Sequence, residues 1–151
     1  MIKVCLIGTD VDKEKALLDS QPDISLQRVT LTDLDSMLKE IIMHGPDILV
    51  ISDICGQLDA DALCLHTYLR NPVIKTLIIT AEDADYQRLE ATGFSCKGFM
   101  LHEQRHAIVR AVRVMNDGEA WLSRKLVTTV LDQLAGSAVA DKRKPQLVKK
   151  V

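Results

Sequence analysis

Pro46-Asp47-Ile48-Leu49-Val50-Ile51-Ser52-Asp53 is the stretch that decides the fold. A short apolar run closes on polar residues and Gly56, and a helical pattern follows. Such a run reads as a strand buried on both faces, the kind found inside a parallel sheet. In an open parallel sheet, ligands bind beyond the carboxyl ends of the strands. The chemistry is therefore expected around Ser52 and Asp53.

Working outward, the pattern repeats. Apolar runs at 3–7, 48–51, 75–80 and 98–101 read as strands, and an alternating run at 26–31 reads as a half-covered edge strand. Helical spacing fills the intervals. Val11 to Leu18 forms a short helix with Asp12, Lys13, Glu14 and Lys15 on its solvated face. Further helices begin at Thr32 or Asp33, at Asp59 or Asp61, at Asp83 and at Glu103. Ser123 caps another through Leu134, ended by Gly136. Strand–helix alternation of this kind predicts an α/β fold: a flavodoxin-like, doubly wound, five-stranded parallel sheet of order 2-1-3-4-5, plus an extra C-terminal linker helix. The expected units are 1–118 for the sheet domain, 119–136 for the linker helix and 137–151 for a flexible basic tail.

Composition narrows the function classes. The chain has 151 residues, about one domain. Aromatics make up only 3%, so the core must be aliphatic. A net charge of −2 argues against a polyanion partner across the whole surface. No signal peptide and no membrane-length apolar run is legible, and the four cysteines lack CxxC spacing. A cytoplasmic protein with reduced thiols, and no membrane partner, is the expectation.

Several fragments then carry a family resemblance. Pro46-Asp47 with its apolar run, Leu58-Asp59, Thr80-Ala81, Gly98-Phe99-Met100-Leu101 and Gly118-Glu119-Ala120-Trp121-Leu122-Ser123-Arg124 occur in ungapped order. Together they resemble the receiver domain of two-component response regulators, a CheY-like fold, and most of all the LuxR/NarL-type transcription regulators. The resemblance covers roughly 1–134. It implies a Mg²⁺-dependent aspartyl-phosphate switch, but the positions it maps are degenerate. Gly8 and Thr9 stand where the family's acidic pair would be, Ser52 where the phosphoacceptor aspartate would be, and His102 where the phosphoryl-contacting lysine would be. Thr80 keeps the switch hydroxyl and Phe99 keeps the switch aromatic.

Without carboxylates, Mg²⁺ loses its hard oxygen ligands. Ser52 without an adjacent base is a poor nucleophile. The expectation is a pseudo-receiver, with no enzymatic activity and no cofactor. Asp10 and Asp53 each lie one residue past an acidic position. A one-residue shift in a strand reverses the side chain. If loop geometry turned both inward they could hold Mg²⁺ and make Asp53 the phosphoacceptor. Otherwise Asp10 caps the first helix and Asp53 is a solvated loop residue.

The remaining candidates are weighed against plainer roles. His44 and His66 read as surface residues. His102 and His106 are four apart, a conceivable but incomplete metal pair. Cys5 reads as core, and Cys55 as the one thiol to test for redox chemistry. Trp121, Leu126, Val127, Val130, Leu131 and Leu134 form an apolar stripe, read either as packing on the chain's own domain or as a dimer interface.

The resemblance implies a homodimer, and DNA contact only through a helix-turn-helix effector, which is not expected within these residues. A stand-alone adaptor is the other form. Control without phosphate would come from a protein partner or small ligand on the surface of the fourth and fifth strands, around Thr80, Phe99 and His102. A flavin or corrinoid binder is disfavoured, because the loop Gly8-Thr9-Asp10-Val11-Asp12 is no phosphate cradle and carries no corrinoid ligand motif.

Overall fold

The computed structural model describes residues 1–54 and 58–149, with side chains through 143. Its elements are β1 (Ile2–Ile7), α1 (Asp12–Asp19), β2 (Ile24–Arg28), α2 (Leu34–His44), β3 (Ile48–Ser52), α3 (Ala60–Arg70), β4 (Lys75–Thr80), α4 (Tyr86–Ala91) and β5 (Cys96–Leu101). A 3-10 helix (His102–Ala107) leads into α5 (Ile108–Asn116), and α6 (Arg124–Lys149) closes the chain. All strands pair in parallel, in the order β2-β1-β3-β4-β5. The fold and strand order read from the sequence are those observed.

Strand alternation splits the core into two layers. Leu49 and Ile51 face α2, α3 and α4, and they pack with Cys5, Leu38, Leu63 and Leu89. Ile48 and Val50 face α1 and α5, and they pack with Leu18, Ile108 and Val112. Burying the four aliphatic residues Ile48 to Ile51 on both faces is what the uninterrupted apolar run encodes, with Ser52 buried at its end.

Several boundaries differ from expectation. The edge strand begins at Ile24 because its parallel register starts opposite Ile2. The α4 helix begins at Tyr86, where Asp85 accepts from the Arg88 backbone N–H. Its predicted first turn stays a loop, with the Glu82 carbonyl taken by the Thr80 hydroxyl at 2.6 Å. The helix after β5 opens as a 3-10 turn before becoming α-helical at Ile108.

The last helix does not stop at Gly136: α6 runs on to Lys149. One exposed glycine costs a helix only about 1 kcal/mol, and Ala135, Ala138 and Ala140 are strong helix formers around it. The tail expected to be flexible from 137 is therefore helical through Lys149.

The link into α6 is tied to the sheet. The Trp121 N–H donates to the Lys97 carbonyl at 2.9 Å, and the Phe99 N–H donates to the Trp121 carbonyl at 2.9 Å. Close approach is possible because residue 98 is glycine. A Cβ there would meet Leu77 Cδ1 at 2.7 Å and Met115 Sδ at 2.8 Å. No helix of the described residues is long and apolar enough to cross a membrane.

Candidate functional site

The same alternation sorts the side chains at the carboxyl ends of the strands. Asp53 follows Leu49 and Ile51 to the face of α3 and α4. Ser52 follows Ile48 and Val50 to the face of α1 and α5. The rim is thus divided between the two faces of the sheet.

On the α4 side, Asp53 is held by Arg88. The Arg88 guanidinium donates to Asp53 Oδ2 and, through Nε, to Asp61 Oδ1 at 2.8 Å. Its Cζ lies 5.8 Å from the centre of the Phe99 ring. Burial pulls the guanidinium's pKa down, but Asp61 and Asp53 outweigh it and hold the group above its ordinary value. Asp53 is therefore no solvated loop residue: its side chain is 17% exposed and ion-paired. It lines an open cleft of about 360 Å³ with Thr80, Glu82, Asp83 and Arg88. The Thr80 hydroxyl is buried and spent on the Glu82 carbonyl.

On the α1 side, Gly8 adopts φ +143°, and a Cβ built on it would stand 2.9 Å from Ser52 Cβ and 3.0 Å from Ser52 O. The positions that would carry the metal-binding acid and the phosphoacceptor are packed back to back, with no room for an acid at position 8. Thr9 is exposed. Asp10 does not cap α1; the cap position is Val11, which makes no side-chain cap bond. Instead Asp10 Oδ2 lies 3.0 Å from His102 Nε2. Arg105 Nη1 lies 2.7 Å from that same nitrogen and 3.5 Å from Asp10. A single ring nitrogen either accepts from Arg105 or, protonated, donates to Asp10.

Beneath them lies Glu14, fully buried rather than solvated. Neither of its carboxylate oxygens accepts a hydrogen bond, and Arg105 Nε is 3.6 Å away. Burial pushes its carboxyl above the usual range, against the opposing pull of its own backbone N–H, Arg105 and His102. Burial arises because the 3-10 helix closes over the first turn of α1. Nothing in the local pattern of charged residues signals that lid.

The structure therefore brings Thr80, Asp53 and Phe99 to one side and Gly8, Ser52, Asp10 and His102 to the other. Asp10 and Asp53 engage Arg105 and Arg88 on opposite faces, and among the described residues no three His, Cys, Asp or Glu side chains cluster as a metal site. These residues do not fit Mg²⁺. His102 and His106 stand in a 3-10 helix, where residues four apart leave the common face. His44 lies near Glu40 and His66 is exposed. Cys5 is core, and burial pushes its thiol up to about 12. Cys55 lies outside the described residues.

Arg88, Arg105 and Glu14 are the site residues that sequence reasoning missed. Each is an unremarkable charged residue in a helical pattern, and only the folded chain reveals a partner remote in sequence, as Asp53 is from Arg88, 35 positions away.

The linker stripe also divides. Leu126 is buried against the α2–α3–α4 layer, and Leu122 and Val130 pack beside it. Val127, Leu131 and Leu134 are exposed. A cavity of about 270 Å³ joins the two systems, lined by Thr80 and Phe99 from the sheet and by Trp121 and Leu126 from the linker. His102, expected on this surface, does not line it.

No protein-family model and no curated protein sequence matches the chain. Solved structures do. A LuxR-family two-component response regulator from Aurantimonas sp. SI85-9A1 superposes with TM-score 0.72 at 14% identity, over 89% of this chain and 99% of that one. The receiver domain of the response regulator NarL from Mycobacterium tuberculosis gives 0.65 at 18% identity, over 78% and 98%. A CheY-like receiver from Methanospirillum hungatei JF-1 gives 0.63 at 12% identity, over 78% and 95%. The chain has the fold of response-regulator receiver domains.

Proposed function

We propose that this chain is a pseudo-receiver: a non-enzymatic regulatory module that has kept the receiver fold and lost the aspartyl-phosphate switch. The observation that carries this reading is the Arg88 clamp. The one carboxylate next to the acceptor position is neutralised by a resident guanidinium, which also binds α3 and lies against the aromatic of β5. A guanidinium holding two carboxylates is a standing cation where the switch would need an exchangeable one. The Gly8–Ser52 contact supports it, because the seam has no space for the missing acids.

Control then runs through contacts rather than phosphate. The cavity between Thr80, Phe99, Trp121 and Leu126 is where a ligand or protein partner would bias the linker helix. The exposed stripe of Val127, Leu131 and Leu134 is a homodimer surface in this reading. Transcription control would be exerted by a helix-turn-helix domain outside these residues, with a stand-alone adaptor as the other form.

The test is intact-mass analysis after incubation with a small phosphodonor and Mg²⁺, wild type beside Asp53→Asn. The expected result is no phosphoryl adduct on either. A wild-type adduct absent from Asp53→Asn would make Asp53 a working acceptor and end the pseudo-receiver reading.

A further inference from the structure

Only the first turns of α6 rest on the sheet domain, where Leu126 is buried and Leu122 and Val130 pack beside it. From 131 to 143 every residue is exposed. Most of a helix's stability in a protein comes from packing an apolar face, and a stretch this short gains little alone. Yet this one presents Leu131 at 60% and Leu134 at 61% exposure.

The exposed face follows one rhythm. Arg124, Val127, Leu131, Leu134, Ala138 and Asp141 are separated by alternating steps of three and four. That spacing keeps side chains on a single coiled-coil seam. Leu126, which faces the sheet domain, precedes Val127 by one residue, so the two faces lie about 100° apart around the helix. The domain therefore leaves the seam open.

The seam is also symmetric about a midpoint between Asp132 and Gln133. Reversing it exchanges Leu131 with Leu134, Val127 with Ala138 and Arg124 with Asp141. Two copies laid antiparallel set apolar residues against apolar ones and close each end with an opposite-charge pair. Laid in parallel, each residue meets its own copy, Arg124 against Arg124 and Asp141 against Asp141. Exposed ion pairs add little affinity, but facing like charges reject an arrangement.

The charge of the whole chain favours the same orientation. Residues 124–151 hold seven basic and two acidic residues, whereas residues 1–123 hold twelve basic and nineteen acidic. An antiparallel pairing lays the far end of α6, with Lys142 and Arg143 exposed, beside the partner's acidic domain. A parallel pairing puts the two basic ends together.

We propose that α6 is the seam of an antiparallel homodimer, in which Leu131 packs on the partner's Leu134 and Arg124 pairs with the partner's Asp141. The arrangement rests on the homodimer reading of the exposed stripe and adds its orientation. The two-fold axis crosses α6 between Asp132 and Gln133, and the sheet domains stand at opposite ends of a seam about 25 Å long. The cavity beside Trp121 and Leu126 lies at the foot of that seam, so a ligand there would act on a helix pair shared by two copies.

The full chain is measured by sedimentation velocity over a concentration series, wild type beside three variants. The wild type should dimerise, and Leu131→Asp with Leu134→Asp should leave a monomer. Arg124→Asp alone sets two acids face to face at each end of the seam and should raise the dissociation constant about tenfold. Adding Asp141→Arg rebuilds each pair in reverse and should bring the constant back to within about twofold of wild type. Arg124 and Asp141 are exposed, so neither change threatens the fold. A wild-type monomer overturns this arrangement together with the homodimer reading. A dimer that survives Leu131→Asp with Leu134→Asp uses another surface and overturns the seam. No loss with Arg124→Asp, or a loss that Asp141→Arg does not restore, overturns the antiparallel orientation alone and leaves the homodimer reading standing.

Discussion

On the α4 side of the rim, one guanidinium serves two carboxylates and lies against a ring. On the α1 side, two carboxylates, an imidazole and a guanidinium share too few hydrogen bonds, and the buried carboxylate receives none. The two sides are the two faces of one sheet, yet they differ in charge balance. Arg88 is matched by partners that are each partly shielded. Glu14 is buried more deeply than either Asp53 or Asp61 and is matched less well. Burial alone does not make an ion pair stabilising; completed hydrogen bonds do. In the proposed reading the rim carboxylates need permanent neutralisation, and among the described residues the α4 side meets that need more fully than the α1 side.

The harshest test strikes the seam between the sides. Gly8→Ala places a Cβ 2.9 Å from Ser52 Cβ at a φ that L residues rarely adopt. Overpacking and backbone strain together should cost about 3 kcal/mol or more in urea unfolding. A loss under about 0.5 kcal/mol, typical of a neutral surface change, would mean the seam is loose and could admit the missing acid after all.

Arg88→Ala comes next. It removes the cation from two carboxylates whose side chains are 17% and 25% exposed. The cost should fall between that of exposed and buried pairs, about 2 kcal/mol. Arg88→Lys should recover only part of it, because a single ammonium cannot reproduce the fork that reaches Asp53 and Asp61 together. If Arg88→Ala were neutral, the contrast between the two sides would collapse.

How much of this was legible in the chain follows from the range of each interaction. The five strands and their order were readable because burial on both faces writes itself into consecutive residues such as Ile48 to Ile51. That Asp53 and Ser52 take opposite faces was readable, since strand alternation is local, but the expectation that Asp53 would thereby turn away from Thr80 fails, because the two line one cleft. The destination of Asp53 was not readable: Arg88 is 35 residues on, and nothing in Tyr86 to Ala91 marks it as a clamp. Glu14 was misread for the same reason. Between Lys13 and Lys15 it belongs to a solvated face by pattern, and only the 3-10 helix folding over α1 buries it. The helix end at Gly136 failed differently, because a glycine signal was outweighed by the alanines beside it.

Glu14→Gln is the smallest change and the most discriminating. Glutamine keeps the shape and discards the charge. In the folded chain burial raises the Glu14 carboxyl above its unfolded value, so the folded state binds the proton more tightly. Below the unfolded pKa both states are protonated, and Glu14 costs the fold nothing through its charge. As pH rises from there through the folded value, the unfolded state releases the proton first and the wild type loses stability. The variant lacks that loss. Its advantage in thermal or urea unfolding should therefore be near zero at the acid end, grow with pH, and level off once folded Glu14 is ionised. Arg105 decides the alternative: if its guanidinium at 3.6 Å outweighed desolvation, Glu14→Gln would be the less stable protein at neutral pH, and the α1 side would be as well matched as the α4 side.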